Sequence, residues 1–134
     1  MAKKVHHQFT VQVYYEDTDH SGVVYHANYL RYFERAREHL LGVEELVRMW
    51  KTQGIGFVVY KASLTYKRGA EFGDTLTIDT TVTRTSDYRL LFIQQALLKN
   101  SGDILVEAEI ELVCVNQKKH LVKLPQLVLE ALDL

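Results

Sequence analysis

One amphipathic stretch, residues 27–41, constrains the fold of this chain more than any other feature. Apolar side chains recur there at helical spacing, and charged side chains fill the opposite side. The pattern predicts a helix that ends at Gly42, since glycine suits the position after a helix. Such a helix must bury its apolar stripe against another element. The stripe consists of Tyr29, Leu30, Phe33, Ala36, Leu40 and Leu41, and exposed ion pairs are expected among Arg31, Glu34, Arg35, Arg37 and Glu38.

Strand-like alternation lies on both sides of this helix. One alternating stretch, residues 9–16, precedes it, and four follow a second, shorter helix over residues 43–53. This order is typical of the α+β class, with an antiparallel sheet packed against one helix. A single domain over residues 1–134 is expected. The later strands are predicted over residues 55–66, 76–83, 90–99 and 104–114, and a short terminal helix over residues 126–132.

Composition excludes several classes of function. A net charge of −1 over 134 residues gives no general attraction to nucleic acids or anionic membranes. Every apolar run is shorter than the ~20 residues that span a bilayer, and the N-terminal residues lack the apolar core of a signal peptide. Cys114 is the single cysteine, so an internal disulfide is excluded and a buried thiol is expected. These features predict a cytoplasmic protein with no transmembrane segment and no nucleic-acid partner.

Ionisable groups are concentrated where the first strand gives way to the long helix. Residues 15–29 read Tyr-Glu-Asp-Thr-Asp-His-Ser-Gly-Val-Val-Tyr-His-Ala-Asn-Tyr. Residues 17–22 within them have strong turn chemistry. Asp19 is a candidate for capping the turn or the helix, which is the ordinary role of aspartate at such junctions. Tyr15 falls on the apolar side of the strand alternation, so it is either a core residue or part of a site.

This segment, together with Glu34-Arg35-Ala36-Arg37 after it, resembles the signature of hot-dog-fold thioesterases. The resemblance is strongest to the 4-hydroxybenzoyl-CoA thioesterase-like group and, within it, to the YbgC-type acyl-CoA thioesterases linked to Tol–Pal operons in bacteria. It extends over the whole chain in length and element order, and includes residues 57–59 and 113–115. It implies a long central helix wrapped by a curved antiparallel sheet. It also implies a homodimer or homotetramer with active sites at the dimer interface.

The resemblance further implies a reaction, the hydrolysis of acyl-CoA to a free acid and coenzyme A. The catalytic carboxylate of the family falls on Asp19, and its other implicated positions fall on Tyr15 and His26. Thioester hydrolysis needs a base or a nucleophile, and the sequence leaves open which of these Asp19 is. It also needs donors for the developing oxyanion, and the first free amides of the helix, near His26, can supply them. Asp17 is expected to hold turn amides, and His20 replaces the alanine or proline of many relatives, with no role assigned.

Expected partners follow from the same resemblance. Acyl-CoA is the substrate, an acyl carrier protein is a further candidate partner, and no cofactor is expected because coenzyme A is part of the substrate. No metal is expected, since the histidines and aspartates show no metal-ligand spacing. The alternative function is that of a non-catalytic acyl-CoA or acyl-carrier-protein binding module. A hydroxyacyl thioester dehydratase is disfavoured, because the sequence shows no matching pair of a histidine and an acidic residue. Basic candidates for the coenzyme A phosphates are Lys67, Arg68 and Arg89, each of which also suits an ordinary solvated surface.

Overall fold

The computed structural model describes residues 4–134. Residues 1–3 lie outside the described residues; they belong to the predicted domain and to the N-terminal segment that is not expected to be a signal peptide. Six strands and three helices make up this described part, in an order that agrees with the predicted α+β class. The strands are β1 (Lys4–Gln12), β2 (Gly56–Tyr66), β3 (Thr75–Arg84), β4 (Arg89–Leu98), β5 (Ile104–Val115) and β6 (Leu121–Val122). The helices are α1 (Asn28–Leu41), α2 (Val43–Gln53) and α3 (Gln126–Ala131), and a 3-10 turn covers Tyr15–Asp17.

The sheet has the order β1-β3-β4-β5-β2, with β6 paired to β5, and every pairing is antiparallel. Alternate residues along β3 and β4 are buried, as expected for a sheet with one face against a core. That face packs on α1, so the sheet and the long helix share a single hydrophobic cluster. Its largest fully buried side chains include Tyr29, Tyr32 and Phe33 from α1, and Leu76, Ile78, Phe92 and Ile110 from the sheet.

The bounds of α1 and α2 agree with the sequence. Gly42, which ends α1, has a φ of +96°, a value that glycine adopts far more readily than other residues. The predicted stripe of α1 is only partly right, because Leu30 is 42% exposed while Tyr32, which the stripe omits, is buried. Leu30 faces an open groove beside β2, whereas Tyr32 is buried with its ring edge-on to Tyr29.

Arg37 is buried, which corrects the prediction that it belongs to exposed ion pairs. Its Nη1 donates to Gln94 Oε1 at 3.1 Å. The Gln94 amide in turn donates to the Phe33 carbonyl at 3.1 Å and to Thr80 Oγ1 at 2.9 Å. Since buried polar groups are costly unless they are bonded, this chain of contacts fixes α1 at one position over β3 and β4.

The first strand lies earlier than predicted. β1 ends at Gln12, and the chain then turns off the sheet through the 3-10 turn that contains Tyr15. The turn forms because Asp17 Oδ2 accepts the Tyr14 N–H at 2.8 Å and the Tyr14 carbonyl accepts the Asp17 N–H at 3.0 Å. Tyr15 is 77% exposed, so its interpretation as a core residue is wrong.

β2 forms one edge of the sheet, and most of its side chains are exposed on both faces. The exposed side chains include the apolar Val58 and Val59 and the aromatic Tyr60 and Tyr66. An apolar edge strand of 11 residues invites pairing with another strand.

Cys114 is buried, as predicted, and burial raises the pKa of its thiol to about 12. Within the part of the chain that the structure describes, no helix is both long and apolar enough to cross a membrane.

Candidate active site

A small hairpin presents Asp19. Thr18 and Val24 form an antiparallel bridge, and the Asp19 N–H donates to the Val23 carbonyl at 2.8 Å. The Gly22 N–H then donates back to the Asp19 carbonyl at 3.0 Å, and Gly22 has a φ of +86°. The tight turn therefore needs glycine at this position and leaves the Asp19 side chain at its exposed tip.

The Asp19 carboxylate is held by Ser21 through one oxygen. Asp19 Oδ1 accepts the Ser21 N–H at 2.8 Å and the Ser21 hydroxyl at 2.6 Å. These two bonds, with smaller contributions from the Val23 N–H and the charge of His20, hold the pKa of Asp19 below its ordinary value. The Asp19 side chain is exposed, so this oriented, ionised carboxylate is open to a substrate or a water.

Asp17 ties the turn to the start of α1. Its Oδ1 accepts the Asn28 side-chain amide at 3.0 Å, and its carbonyl accepts the Tyr25 N–H at 2.9 Å. The Asn28 N–H donates to the Tyr25 carbonyl at 2.8 Å and closes the last turn before the helix. Asp17 therefore has the scaffolding role that the sequence suggests for it.

The helix start offers free backbone donors. Within residues 4–134 neither the His26 N–H nor the Ala27 N–H donates to a recorded partner. Unpaired N–H groups at a helix start have a partial positive charge and suit an oxyanion. The His26 side chain is exposed, and its ring lies 4.6 Å from Tyr25 and 6.1 Å from Tyr66, centroid to centroid.

The three predicted catalytic residues lie on one hairpin-and-helix unit, but their side chains do not touch one another. Asp19 bonds only within its own turn, and the His26 ring contacts Tyr25 and Tyr66. The Tyr15 ring packs edge-on against Phe72, with centroids 6.0 Å apart. The catalytic roles of all three stay predictions.

The loop after β2 supports the Asp19 hairpin. The Val24 N–H donates to the Ala70 carbonyl at 2.8 Å, and Val23 bridges Glu71. A Cβ added at Gly69 would lie 2.7 Å from Val23 Cγ1, closer than real atoms approach. The hairpin and this loop are therefore in direct contact, with no room for a larger residue at position 69.

The three basic candidates for coenzyme A lie at two ends of the sheet. Lys67 and Arg68 begin the loop beside the Asp19 hairpin and pair with Glu107 at 3.5 Å and Asp103 at 2.6 Å. The Arg89 guanidinium lies 4.2 Å from the centre of the Tyr60 ring. Arg89 of β4 pairs with Val113 of β5, which pairs with Val58 of β2, so Arg89 is level with Val58. Val58 and Tyr66 are eight residues apart, roughly 27 Å along the strand.

A groove runs from the helix start between α1 and β2. Its first part is a cavity of about 320 Å³ whose lining includes Leu30, Val59 and Ala62. A second cavity of about 220 Å³ adjoins it and shares Glu34, Arg37 and Val59. The far lining of this second cavity is largely apolar and comprises Leu41, Leu46, Met49, Phe57 and Leu112.

Sequence reasoning missed Ser21, Phe72 and Tyr66 as parts of this site. Ser21 follows Asp19 by two residues, the spacing of an Asx turn, so a local signal for its contact exists. Phe72 and Tyr66 reach the site through tertiary packing across more than 35 positions of sequence, and no local spacing predicts that. In the described range, no group of three or more His, Cys, Asp or Glu residues is arranged to hold a metal ion.

Comparison with known proteins places this chain in a family. The family model described as the thioesterase-like superfamily matches residues 13–132. The chain belongs to the thioesterase-like superfamily. This confirms the family predicted from residues 15–29, and the structural match described next confirms the hot-dog α+β fold.

Named relatives of this thioesterase-like chain are bacterial. It is 37% identical over 113 residues to the acyl-CoA thioester hydrolase YbgC of Escherichia coli O6:H1, covering 84% of each chain. It is 38% identical over 113 residues to the acyl-CoA thioesterase YbgC of Haemophilus influenzae, covering 83% of this chain and 82% of the relative. A 1,4-dihydroxy-2-naphthoyl-CoA thioesterase from Synechocystis superposes with a TM-score of 0.86 at 26% identity, over 97% of this chain and 99% of that one.

Proposed function

We propose that this protein is a cytoplasmic acyl-CoA thioesterase that releases a free acid and coenzyme A. The observation that supports it best is the arrangement of Asp19 and the helix start on one rigid unit. An ionised, exposed carboxylate and unpaired amides at His26 and Ala27 together supply what thioester hydrolysis requires. Membership of the thioesterase-like superfamily supports the same reaction.

In the proposed reaction Asp19 acts on the thioester carbonyl either directly or through a water. As a base, its exposed carboxylate takes a proton from the attacking water; as a nucleophile, it displaces the coenzyme A thiolate and forms an anhydride that water then hydrolyses. The amides of His26 and Ala27 stabilise the negative charge that develops on the carbonyl oxygen, a contribution worth ~3–4 kcal/mol per donor in other hydrolases. The route uses carboxylate and backbone chemistry, with no metal or redox cofactor.

We assign the acyl group to the groove between α1 and β2. The groove extends along α1 from Leu30 to Leu41, a length of roughly 17 Å at 1.5 Å per residue. Its far end is lined by apolar side chains, and such a surface favours hydrocarbon over water. Carbon chains of medium length are therefore the expected acyl groups.

We further propose that a second copy of the chain completes the site. Antiparallel pairing of two β2 strands about a twofold axis would place the Gly56 end of one strand beside the Tyr66 end of the other. The Arg89–Tyr60 pair of one subunit would then flank the Asp19 site of its partner. Coenzyme A phosphates could thus meet Arg89 of the partner subunit and, on the near side, Lys67 and Arg68. The exposed ion pairs of Lys67 and Arg68 are worth at most ~1 kcal/mol each, so either side chain can leave its carboxylate partner and bind a phosphate.

Wild-type turnover tests the proposal. The protein is mixed with acetyl-, hexanoyl-, decanoyl-, palmitoyl- and benzoyl-CoA, and free thiol is followed with a chromogenic disulfide while binding is measured by calorimetry. We expect thiol release with at least one ester, fastest for an aliphatic chain of medium length. Tight binding without release from any ester would contradict the enzyme and favour the acyl-CoA binding module.

A further inference from the structure

We propose that Tyr66 is a positioning residue for the amide donors at the start of α1, acting through the carbonyl of His26. The inference rests on the proposed thioesterase function and adds a residue from β2 to the same site. Tyr66 ends the edge strand, 40 positions along the chain from His26, and its hydroxyl donates to the His26 carbonyl at 2.9 Å.

The helix itself makes no use of this carbonyl. The Leu30 N–H, which would reach the His26 carbonyl in a regular α-helix, donates instead to the Ala27 carbonyl at 3.2 Å. The preceding turn is closed by the Asn28 N–H on the Tyr25 carbonyl. The His26 carbonyl therefore lies outside the helical ladder, and within residues 4–134 the Tyr66 hydroxyl is its one recorded partner.

Holding this carbonyl fixes a catalytic donor. The peptide that joins His26 to Ala27 is planar and trans, so its N–H points away from its C=O. With the carbonyl oxygen held by Tyr66, the orientation of the unpaired Ala27 N–H at the helix start is fixed as well. Acceptance of a hydrogen bond by the C=O also polarises the peptide and makes its N–H a stronger donor. Both effects serve a group that must stabilise an oxyanion.

Tyr66 is itself well held. Its ring lies edge-on to the His26 ring at 6.1 Å and to the Tyr29 ring at 6.0 Å, so packing fixes the direction of the hydroxyl. Burial raises the pKa of Tyr66, and the hydroxyl therefore remains a donor across the neutral range. Because Tyr66 lies on the edge strand, pairing of β2 with a second copy would immobilise it further.

Tyr66→Phe tests the proposal, because it removes the hydroxyl and keeps the ring. We expect kcat for the best acyl-CoA substrate to fall about tenfold, the cost of one hydrogen bond, while KM stays within about twofold. The acid limb of the pH profile should not move, because Tyr66 does not contact Asp19. In a ¹⁵N-labelled sample the Ala27 amide proton should shift upfield. Tyr88→Phe, at the exposed turn between β3 and β4, is the matched control and should retain wild-type kinetics.

Two results would overturn the proposal. One is an unchanged kcat in a folded Tyr66→Phe protein, and the other is a rise in KM alone, which would mean that Tyr66 binds substrate. If that variant does not fold, 3-fluorotyrosine at position 66 decides: its hydroxyl is a stronger donor, so kcat at pH 6 should rise, and no change counts against the idea. Inactivity of the wild-type protein on every ester would instead contradict the proposed function, which keeps the two failures distinct.

Discussion

Asp19 shows how a single residue is prepared for chemistry before any substrate binds. Two bonds from Ser21 orient the carboxylate and lower its pKa, so it is ionised at neutral pH. A low pKa also makes a carboxylate a weaker base and a weaker nucleophile. Covering the site with a second subunit and a bound substrate would desolvate the carboxylate and restore part of its reactivity. We therefore expect substrate binding to raise the pKa of Asp19.

Ser21→Ala should move the acid limb of kcat/KM to higher pH. The Ser21 hydroxyl stabilises the charged form of Asp19, so its removal raises the pKa of that carboxyl toward its ordinary value. Activity depends on the ionised form and is lost as pH falls through this pKa, so the loss begins at a higher pH in the variant. Rates measured from pH 3 to 8 check this. Ser101→Ala, in the turn before β5, is the control, and an identical acid limb in all three proteins would contradict the assignment.

At the scale of elements, the Asp19 hairpin depends on the loop that follows β2. Gly69 lies against Val23, and Gly69→Ala would place a Cβ 2.7 Å from Val23 Cγ1 and 2.9 Å from Val23 Cβ. The hairpin must shift to relieve this contact, and we expect kcat to fall by up to about a hundredfold, as small misplacements of catalytic groups do. Overpacking should also cost ~1–3 kcal/mol of stability, measured by urea unfolding.

Gly56→Ala is the matched control for Gly69→Ala. Its added Cβ would meet Trp50 at 3.7 Å, which is an ordinary contact, so the stability should change little; Gly56 lines the acyl groove, and the comparison is therefore one of stability alone. If Gly69→Ala retains the kcat of the wild-type protein, the loop does not position the hairpin.

The elements differ in how far the sequence predicts them, and the reasons are physical. α1, α2 and β3 have strong periodicity and glycine or turn residues at their ends, so their bounds agree closely with the structure. The predicted end of β1 is wrong because the alternation of apolar and polar residues continues through Tyr15. In the structure, Asp17 bonds to the Tyr14 N–H and turns the chain off the sheet. The prediction that Arg37 is exposed is wrong because helical spacing cannot show that Gln94 lies across the core and accepts its hydrogen bond.

The site shows the same division. Asp19, Gly22 and the helix start belong to one continuous motif, so the sequence places them together. Tyr66 comes from β2, and its bond to His26 exists only once the sheet has wrapped around α1. Contacts between residues so distant in sequence have no local signature.

At the scale of the whole molecule, the exposed edge strand β2 predicts a dimer. Val58 is 41% exposed and Val59 is 53% exposed, on a strand with an unpaired edge. The variant Val58→Lys, at an edge residue outside the groove lining, should be monomeric, because charged side chains prevent edge pairing. It should also lose at least about tenfold in kcat/KM if the partner completes the site.

Analytical ultracentrifugation and thiol release on the same samples test the dimer. Leu121→Lys, which charges an exposed apolar residue on β6, is the control and should stay dimeric and active. A monomeric wild-type protein with full activity would contradict the shared site.

The most direct test of the account is kcat for Asp19→Asn, measured by thiol release with the best acyl-CoA substrate. The substitution preserves the size of the side chain and removes its charge. Glu16→Gln, an exposed carboxylate in the adjacent turn, is the control, and circular dichroism confirms the fold of both variants. We predict that Asp19→Asn lowers kcat at least about a hundredfold, with little change in KM, whereas Glu16→Gln does not. A folded Asp19→Asn protein whose kcat stays within about threefold of wild type would contradict the central role of this carboxylate.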